Sequence, residues 1–400
     1  MTYHTDIVRK NASKSLDKIA AAFRYSWLQA ARENAPSDGF DGSPKLSMQT
    51  SAFGTNPGDL RMLVYAPPHR AAKAPLVVIL HGCKQTAQAY AQGAGWLKLA
   101  VHHGFVMLCP EQKPSNNRNS CFNWFQPSDT RRGEGEAESI RQMISKAILD
   151  YDLDPKRVFV SGLSAGGAMA CALLAVYPEI FAGGAIVAGL PHGSATNVSE
   201  ALGAMSEGQS RSASELGTVV RNASPHNGPW PKISIWQGDA DKTVNPLNAE
   251  QITLQWTDVH NLSETPDQID NIEGHTRRVW LSSAGQILVE SHTIEGLGHG
   301  TPLATGGSDG YGTVGPFLIE TGISSSSTIA ASWGLTRKYE LHTEPMDQSL
   351  FKESPTTSDK LTSATRSAGP TSAVSQIRLK SKIQRVIISM KRALGVSSDS

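Results

Sequence analysis

Ser164 is the residue of this chain that is best placed for nucleophilic chemistry. It lies within Gly162-Leu163-Ser164-Ala165-Gly166, which matches the G-x-S-x-G pattern of a nucleophile elbow. The pentapeptide alone is a weak signal, but RVFVSG before it is typical of a strand and the Ala-rich run after it of a helix. Such a corner projects the hydroxyl above the sheet, beside a helix N-terminus that favours negative charge. A glycine-rich turn with a capping serine is the structural alternative.

A serine hydroxyl becomes nucleophilic when a base accepts its proton and an acid orients that base. After an elbow the acid comes next and the histidine last, each in a loop after a late strand. KISIWQ is followed by Asp239 and Asp241, and ILVESHTIEG by His299 between two glycines. We predict Asp241 as the acid, because its greater distance from the strand lets the carboxylate reach over the sheet edge, whereas Asp239 would shape the turn. A surface-loop role is the alternative for His299.

Two further histidines are interpreted differently. His292 falls inside a strand-like run, so we interpret it as structural. His192, just after the strand that follows the elbow, comes too early in the chain for the base. We predict that it lines the pocket.

Acyl transfer also needs hydrogen-bond donors for the negatively charged oxygen of the tetrahedral intermediate. One expected donor is the backbone N–H of Ala165, directly after the serine. The other is expected after the early strand VVIL, where Gly82 allows a turn that points the N–H of Cys83 inward. Cys83 and Cys121 both lie in loop-like sequence and can pair, which would staple this loop.

A sheet must hold these loops, and the central part of the chain alternates strand-like and helical segments. Continuous runs of Val, Ile and Leu predict strands that are buried on both faces. The runs are RMLVYAP, PLVVILHG, GFVMLCP, RVFVSG, GGAIVAG, KISIWQGD and ILVESHTIEG. With helical stretches such as GEAESIRQMISKAILDYD between them, they predict an α/β domain with a mostly parallel sheet flanked by helices.

Composition divides the chain into four segments. Residues 1–58 contain an amphipathic helix at about 15–33 and a linker, and residues 59–322 form the catalytic domain. Residues 323–374 are rich in Ser and Thr, so we predict a largely disordered linker. Residues 375–396 are predicted to form a helix with one apolar and one basic face.

The composition of the whole chain argues against several classes of function. There are 37 Lys and Arg against 36 Asp and Glu, so the balance of charge predicts no nucleic-acid partner. The chain has no Cys/His spacing typical of zinc, and its glycine-rich turn lacks the Lys of a phosphate-binding loop, so we expect no metal and no cofactor. The N-terminus does not resemble a secretion signal, and no stretch is apolar enough for a membrane span.

Several separated motifs closely resemble those of the polyhydroxybutyrate depolymerase type of α/β-hydrolase, a family related to feruloyl and acetylxylan esterases. They are LVVILHGCKQTAQAYAQGAGWLKLA, GFVMLCPEQ, CFNWFQPSD, GLSAGGAMA and GLPHG, and the resemblance spans about residues 60–317. It implies an α/β-hydrolase fold in which Ser164 is the nucleophile and the amides of Ala165 and Cys83 form the oxyanion hole.

The resemblance also implies the acid and the base. The acid of the family lies in a pattern like H-G-x-x-D-x-x-V, which corresponds to Asp241, although Gln237 stands where the pattern usually has histidine. The base sits in a G-H segment that corresponds to His299. Aromatic residues near the mouth, here Trp96, Trp124 and Phe125, would hold an apolar acyl chain, with a core position as the alternative for each.

From these features we predict a serine esterase that acts on poly- or oligo-(3-hydroxybutyrate) or related short-chain hydroxyacyl esters. A carbohydrate esterase of the feruloyl or acetylxylan type is the runner-up, and a non-catalytic hydrolase-like binding protein is the alternative from another class. Family members are often extracellular, whereas the absence of a recognisable signal leaves a cytoplasmic location open. The basic helix at 375–396 would suit contact with a polymer granule or a membrane surface, with docking on the catalytic domain as the alternative.

Overall fold

A computed structural model describes residues 45–49, 52–272, 274–308 and 310–336. The helices predicted at 15–33 and 375–396 lie outside the described residues. In chain order, the strands of the main sheet are β1 (Ser47–Met48), β2 (Arg61–Tyr65), β3 (Leu76–Leu80), β4 (Val106–Glu111), β5 (Val158–Leu163), β6 (Gly183–Val187), β7 (Lys232–Gly238), β8 (Gln268–Ile272), β9 (His275–Leu281) and β10 (Ile287–Ile294). They lie side by side in the order β1-β2-β4-β3-β5-β6-β7-β10-β9-β8.

The six central strands of this sheet, from β4 to β10, are parallel to one another. Antiparallel pairs flank them, β1 with β2 on one side and β8 with β9 on the other. In β3 the side chains of Val78 and Leu80 enter one hydrophobic core, whereas those of Val77 and Ile79 enter the other. The central strands are apolar runs because both of their faces are covered. The predicted mostly parallel sheet is confirmed.

Helices cover both faces of the sheet. Within the described residues they are α1 (Ala87–Gly93), α2 (Trp96–His103), α3 (Pro127–Thr130), α4 (Gly135–Tyr151), α5 (Ala165–Val176), α6 (Val198–Ser206), α7 (Ala213–Arg221), α8 (Leu247–Val259) and α9 (Ser325–Ser332). The first core takes side chains from α4, α5, α7 and α8, and the second takes them from α1, α2 and α9. Every residue of α5 is buried, which explains why this helix is apolar on all sides.

The predicted boundary between the catalytic domain and a linker at residue 323 is wrong for the residues up to 336. This stretch forms α9 and the turn after it, and Trp333 stacks on Trp96 and Phe159 at ring-centroid distances of 5.9 and 4.8 Å. A Ser-rich composition is typical of a linker, but here serine hydroxyls are buried and hydrogen-bonded. The hydroxyl of Ser325 donates to the carbonyl of Pro302 at 2.9 Å. The rest of the predicted linker, from residue 337, lies outside the described residues.

Two short strands near the end of the described chain form a separate two-stranded sheet. They are β11 (Thr301–Leu303) and β12 (Leu318–Glu320), which pair in parallel. None of the helices described is both long enough and apolar enough to cross a membrane.

Candidate active site

The corner between β5 and α5 holds Ser164 in a backbone conformation that few residues adopt. Its φ is 58° and its ψ is −118°, and its amide donates to the carbonyl of Val187 at 2.9 Å. A Cβ atom on Gly162 would lie 2.3 Å from the carbonyl oxygen of Gly166, and one on Gly166 would lie 2.3 Å from that of Leu80. Both positions therefore require glycine, because any side chain would collide with backbone.

Three side chains that are distant in the chain meet above the carboxyl ends of the parallel strands. Ser164 follows β5, Asp241 lies in the turn after β7, and His299 lies in the loop after β10. The Oγ atom of Ser164 lies 3.0 Å from Nε2 of His299, and Nδ1 of His299 lies 2.7 Å from Oδ2 of Asp241. The imidazole thus bridges a hydroxyl and a carboxylate, which is the arrangement that lets a serine lose its proton to a base.

The surroundings of Asp241 favour its ionised form. The residue is 5% exposed, and its Oδ1 atom accepts hydrogen bonds from the amides of Thr243 at 2.8 Å and Val244 at 3.0 Å. Burial acts to raise the pKa of Asp241, but the hydrogen bond and charge of His299, with the two amides, outweigh it and lower the pKa below its ordinary value. A carboxylate that stays ionised can orient the imidazole and stabilise its protonated form.

The neighbouring aspartate has a different position. Oδ1 of Asp239 accepts a hydrogen bond from the amide of Gly296 at 2.7 Å. This contact ties the turn after β7 to the loop after β10. The structure therefore brings Asp241, rather than Asp239, to the imidazole of His299.

The loop after β3 is held by His81, which is fully buried. Its Nε2 atom accepts from the amide of Gln112 at 3.1 Å, so Nδ1 carries the proton and donates to the carbonyl of Gly82 at 2.8 Å. Burial lowers the pKa of His81, which keeps the ring neutral in this role. Since the C=O and N–H of a trans peptide point in opposite directions, anchoring the Gly82 carbonyl also orients the N–H of Cys83.

The second expected oxyanion donor, the amide of Ala165, lies in the first turn of α5. The first amides of a helix have no acceptor within it, so this N–H is available to a ligand. Cys83 and Ala165 contribute to the same small apolar cluster at this edge of the sheet. The residues that would supply the two amides therefore pack in one cluster, and the oxyanion hole itself stays a prediction.

Cys83 is joined to Cys121 by a disulfide, the pairing that the sequence left open. The bond links the loop after β3 to the loop that carries Trp124 and Phe125. The two loops that border Ser164 are therefore connected covalently.

The buried carboxyl group of Glu136 also anchors the loop that carries Trp124. Glu136, in the first turn of α4, is 1% exposed and accepts from the backbone and side-chain amides of Asn123, both at 2.9 Å, and from the side chain of Gln112. Desolvation, assisted by the charge of Asp129, raises the pKa of Glu136 to about 8. Because Asn123 directly precedes Trp124, this network fixes the backbone from which that ring projects.

The residues predicted at the mouth separate into two groups. Trp124 packs in the apolar cluster with Ala165, and its ring meets that of Phe125 edge-on at a centroid distance of 5.6 Å. Trp124 and His192 also line a cavity of about 420 Å³, together with Ala195. Burial lowers the pKa of His192 to about 4, so its imidazole is neutral near pH 7.

Trp96 is not at the mouth, and its prediction as a substrate-binding residue is wrong. It begins α2, is 1% exposed, and packs in the second core against Phe105 and Trp333. The indole is a core residue because α2 presents its apolar side to the sheet.

Comparison with known proteins places the chain among ester hydrolases. The family described as Esterase PHB depolymerase matches residues 60–274. Poly(3-hydroxyalkanoate) depolymerase C of Paucimonas lemoignei is 44% identical over 72% of this chain and 70% of its own length. The chain belongs to the esterase PHB depolymerase family. The prediction of a serine ester hydrolase is thereby confirmed.

Other members of this wider group are also similar. An acetylxylan esterase of Coprinopsis cinerea is 34% identical over 64% of this chain and 69% of its own length. The solved acetyl xylan esterase of Aspergillus awamori superposes with a TM-score of 0.62 at 21% sequence identity, covering 73% of this chain and 99% of that one. This second likeness shows the α/β-hydrolase fold.

Two contacts at the site of this PHB depolymerase family member are not predicted from the sequence. Gln237 donates from Nε2 to Oδ2 of Asp241 at 3.0 Å, and the ring of Phe317 meets that of His299 at a centroid distance of 5.8 Å. For Gln237 the sequence carries a signal: the residue lies four positions before the acid and differs from the histidine that the family pattern usually has there. Nothing in the local sequence around Phe317 indicated its contact with His299.

Proposed function

We propose that this chain hydrolyses poly- or oligo-(3-hydroxybutyrate), or related short-chain hydroxyacyl esters, through an acyl-enzyme formed on Ser164. The observation that carries the proposal is the chain of two contacts from Ser164 Oγ to His299 Nε2 at 3.0 Å and from His299 Nδ1 to Asp241 Oδ2 at 2.7 Å. The choice of substrate is supported by the 44% identity with a poly(3-hydroxyalkanoate) depolymerase.

In the first half of the reaction, the oxygen of Ser164 attacks the ester carbonyl carbon as His299 Nε2 accepts its proton. Negative charge develops on the carbonyl oxygen and is stabilised by the amides of Ala165 and Cys83. His299 then passes the proton to the departing alkoxide, which leaves as the alcohol end of the cleaved chain. Asp241 holds the imidazole in one tautomer and stabilises its cationic form throughout.

In the second half, water attacks the acyl-enzyme. His299 accepts a proton from that water and returns it to the Ser164 oxygen, so that the free acid leaves and the resting enzyme is restored. The proton on the released alcohol comes from Ser164 and is replaced by one from the attacking water, so the cycle consumes one water and no other proton donor. The acyl chain would lie against Trp124 and Phe125, with neutral His192 at the adjoining cavity.

The second candidate within the same chemistry is deacylation of a carbohydrate. It is supported by the 34% identity with an acetylxylan esterase. A panel of polymer granules, 3-hydroxybutyrate oligomers, methyl ferulate, acetylated xylan and p-nitrophenyl esters separates the two. Higher kcat/KM on the hydroxybutyrate oligomers than on acetylated xylan supports the proposal, and the reverse order replaces it with the carbohydrate esterase.

A fluorophosphonate probe tests the catalytic claim itself. We expect covalent labelling of the wild-type chain that is abolished in Ser164→Ala. Equal labelling of the two proteins would overturn the assignment of Ser164. A wild-type chain that neither reacts nor turns over any ester of the panel would favour a non-catalytic binding protein.

Contact between the segment at 375–396 and a polymer granule or membrane surface is a separate proposal, because that segment lies outside the described residues. Its support is the segregation of apolar and basic residues along the sequence. Deleting residues 375–394 is expected to reduce co-sedimentation with polymer granules while leaving hydrolysis of a soluble p-nitrophenyl ester unchanged. Unchanged co-sedimentation would contradict the proposal.

A further inference from the structure

Gln237 makes a direct contact with the acid of the site. It lies near the end of β7 and is 4% exposed. Its Nε2 atom donates to Oδ2 of Asp241 at 3.0 Å, which is the same oxygen that faces Nδ1 of His299 at 2.7 Å. The carboxylate oxygen that orients the imidazole therefore has a second donor, which fixes it from the side of the sheet.

The amide of Gln237 is committed to this orientation by the groups around it. Nε2 also lies 3.3 Å from the carbonyl oxygens of Val244 and Gly238, so each neighbour on that side is an acceptor. Turning the amide over would place Oε1 against a carboxylate and two carbonyls, which is repulsive. In the observed orientation Oε1 is buried without a hydrogen-bond partner among the described residues.

An unpaired buried carbonyl is costly in a folded protein, and such a group calls for an explanation. Neither an apolar residue nor a reversed amide would satisfy both the carboxylate and the two carbonyls. The arrangement is explained if the position is needed for a donor to Asp241.

We propose that Gln237 is a positioning residue that orients the Asp241 carboxylate toward His299 through a donor that never titrates. The inference rests on the proposed function, since it assigns Asp241 to orienting the catalytic imidazole. Gln237 does not reach the reacting atoms and acts through Asp241. Its removal should therefore lower kcat and leave KM nearly unchanged.

Among the described residues, the titratable group that is hydrogen-bonded to Gln237 is Asp241. Helix α8 packs on β7, and its two acidic side chains are paired elsewhere, Glu250 with Arg278 and Asp258 with Arg221. Asp241 comes from the following turn, and His299 from the loop after β10 contacts the same oxygen of that carboxylate. Asp239 lies in the same turn but is engaged by the amide of Gly296. A new ionisable group at position 237 would therefore titrate mainly against Asp241.

Gln237→Glu tests this arrangement with little change in shape. Two adjacent carboxylates raise the pKa of one of them, and a protonated Glu at this position can donate its O–H to Asp241 as the amide does. As pH rises that proton is lost, and two like charges then face each other. Near pH 5 we expect kcat/KM of the variant to lie within about tenfold of the wild-type value at that pH. Near pH 9 we expect it to be about a hundredth of the wild-type value at that pH, or less.

Gln251→Glu is the matched control, because Gln251 is 3% exposed on α8 and accepts from the amide of Arg211 instead of touching the site. Its pH profile should run parallel to that of the wild type. A Gln237→Glu profile that is also parallel to the wild type would overturn the inference. If that variant does not fold, Gln237→Leu decides through kcat, with a loss of about tenfold expected and an unchanged kcat contradicting the proposal.

The experiment separates this inference from the proposed function. Labelling of the wild-type chain by a fluorophosphonate, lost in Ser164→Ala, establishes the nucleophile independently of residue 237. With that labelling in place, a wild-type-like pH profile and kcat in the Gln237 variants would end the positioning role alone.

Discussion

At the scale of the residue, the turn after β7 contains two aspartates with different surroundings. Asp241 faces Nδ1 of His299 at 2.7 Å, whereas Asp239 accepts from the amide of Gly296. We expect Asp241→Asn to lower kcat by a factor of about 10³ to 10⁴, because an amide no longer fixes the imidazole tautomer or stabilises its charge. Asp239→Asn should keep kcat within about threefold, since it alters one surface hydrogen bond. Initial rates on p-nitrophenyl butyrate measure both, and equal losses would contradict the assignment.

His81 offers a second test at this scale. Its ring donates to the carbonyl of Gly82 and so orients the amide of Cys83. Loss of one oxyanion donor lowers kcat by a factor of about 10² to 10³, so we expect His81→Phe to lower kcat by about tenfold or more with little change in KM. The control is His260→Phe, because His260 bonds the carbonyl of Pro231 at 3.0 Å away from the site. An equal loss of kcat in the two variants would indicate a general effect on folding.

The residues of the site that are predictable from the sequence are those whose roles follow from their order along the chain. Ser164, Asp241 and His299 were identified because each follows a strand-like run in a fixed succession, and the structure brings them together. The contact of Phe317 with His299 and the anchoring role of His81 depend on three-dimensional proximity that no local pattern encodes. The prediction that Trp96 binds substrate is wrong for the same reason. The sequence around an aromatic residue in a helix is similar whether its side chain faces the active site or the core.

At the scale of the element, the corner between β5 and α5 brings the backbone at the start of α5 very close to the end of β3. A Cβ atom on Gly166 would lie 2.3 Å from the carbonyl oxygen of Leu80. We expect Gly166→Ala to lower the free energy of unfolding by about 2 kcal/mol or more, because backbone must shift. Gly203→Ala is the control: nothing lies within 4 Å of its Cβ position in α6, so it should be neutral or stabilise by up to about 1 kcal/mol. Urea denaturation compares the two, and a larger cost for Gly203→Ala would contradict this account.

Elements were predictable where burial made them apolar. The central strands are continuous runs of Val, Ile and Leu because helices cover both of their faces. The hairpin of β8 and β9 was not predicted, because it lies at the edge of the sheet and carries charged residues such as Arg277 and Arg278. Helix α9 was missed because a run of serines is typical of a linker, and only its packing in the second core shows otherwise.

At the scale of the whole molecule, Trp333 connects the end of the described chain to the second core. It is 9% exposed and stacks on Trp96 and Phe159. We expect Trp333→Ala to lower the free energy of unfolding by about 3 to 5 kcal/mol, because it removes a large buried ring and leaves a cavity. Leu149→Ala, at an 80% exposed position of α4, should change it by less than about 0.5 kcal/mol. Chemical denaturation measures both free energies of unfolding. Equal, small changes in the two variants would contradict the packing of residue 333 in the core and would indicate that the segment after residue 322 is disordered.

The stability of the folded chain should also depend on pH through histidines that burial keeps neutral. Desolvation, helped by repulsion from His292 when that ring is protonated and from Arg277, lowers the pKa of His275 from 6.5 to about 4, with the charge of Glu290 opposing it. A histidine with a lowered pKa in the folded state binds its proton more readily when the chain unfolds. Its contribution to stability is therefore fully present above pH 6.5 and is lost as the pH falls towards 4.

Thermal unfolding followed from pH 7 to pH 4 tests this dependence. The Nε2 atom of His275 lies 2.8 Å from Nδ1 of His292, and His275→Gln keeps a hydrogen-bonding group there without one that titrates. We expect a smaller fall in Tm for this variant than for the wild type between pH 6.5 and 4. His69→Gln, at an exposed position, should retain the wild-type fall. A wild-type slope in His275→Gln would mean that the acid sensitivity of the fold arises from other groups.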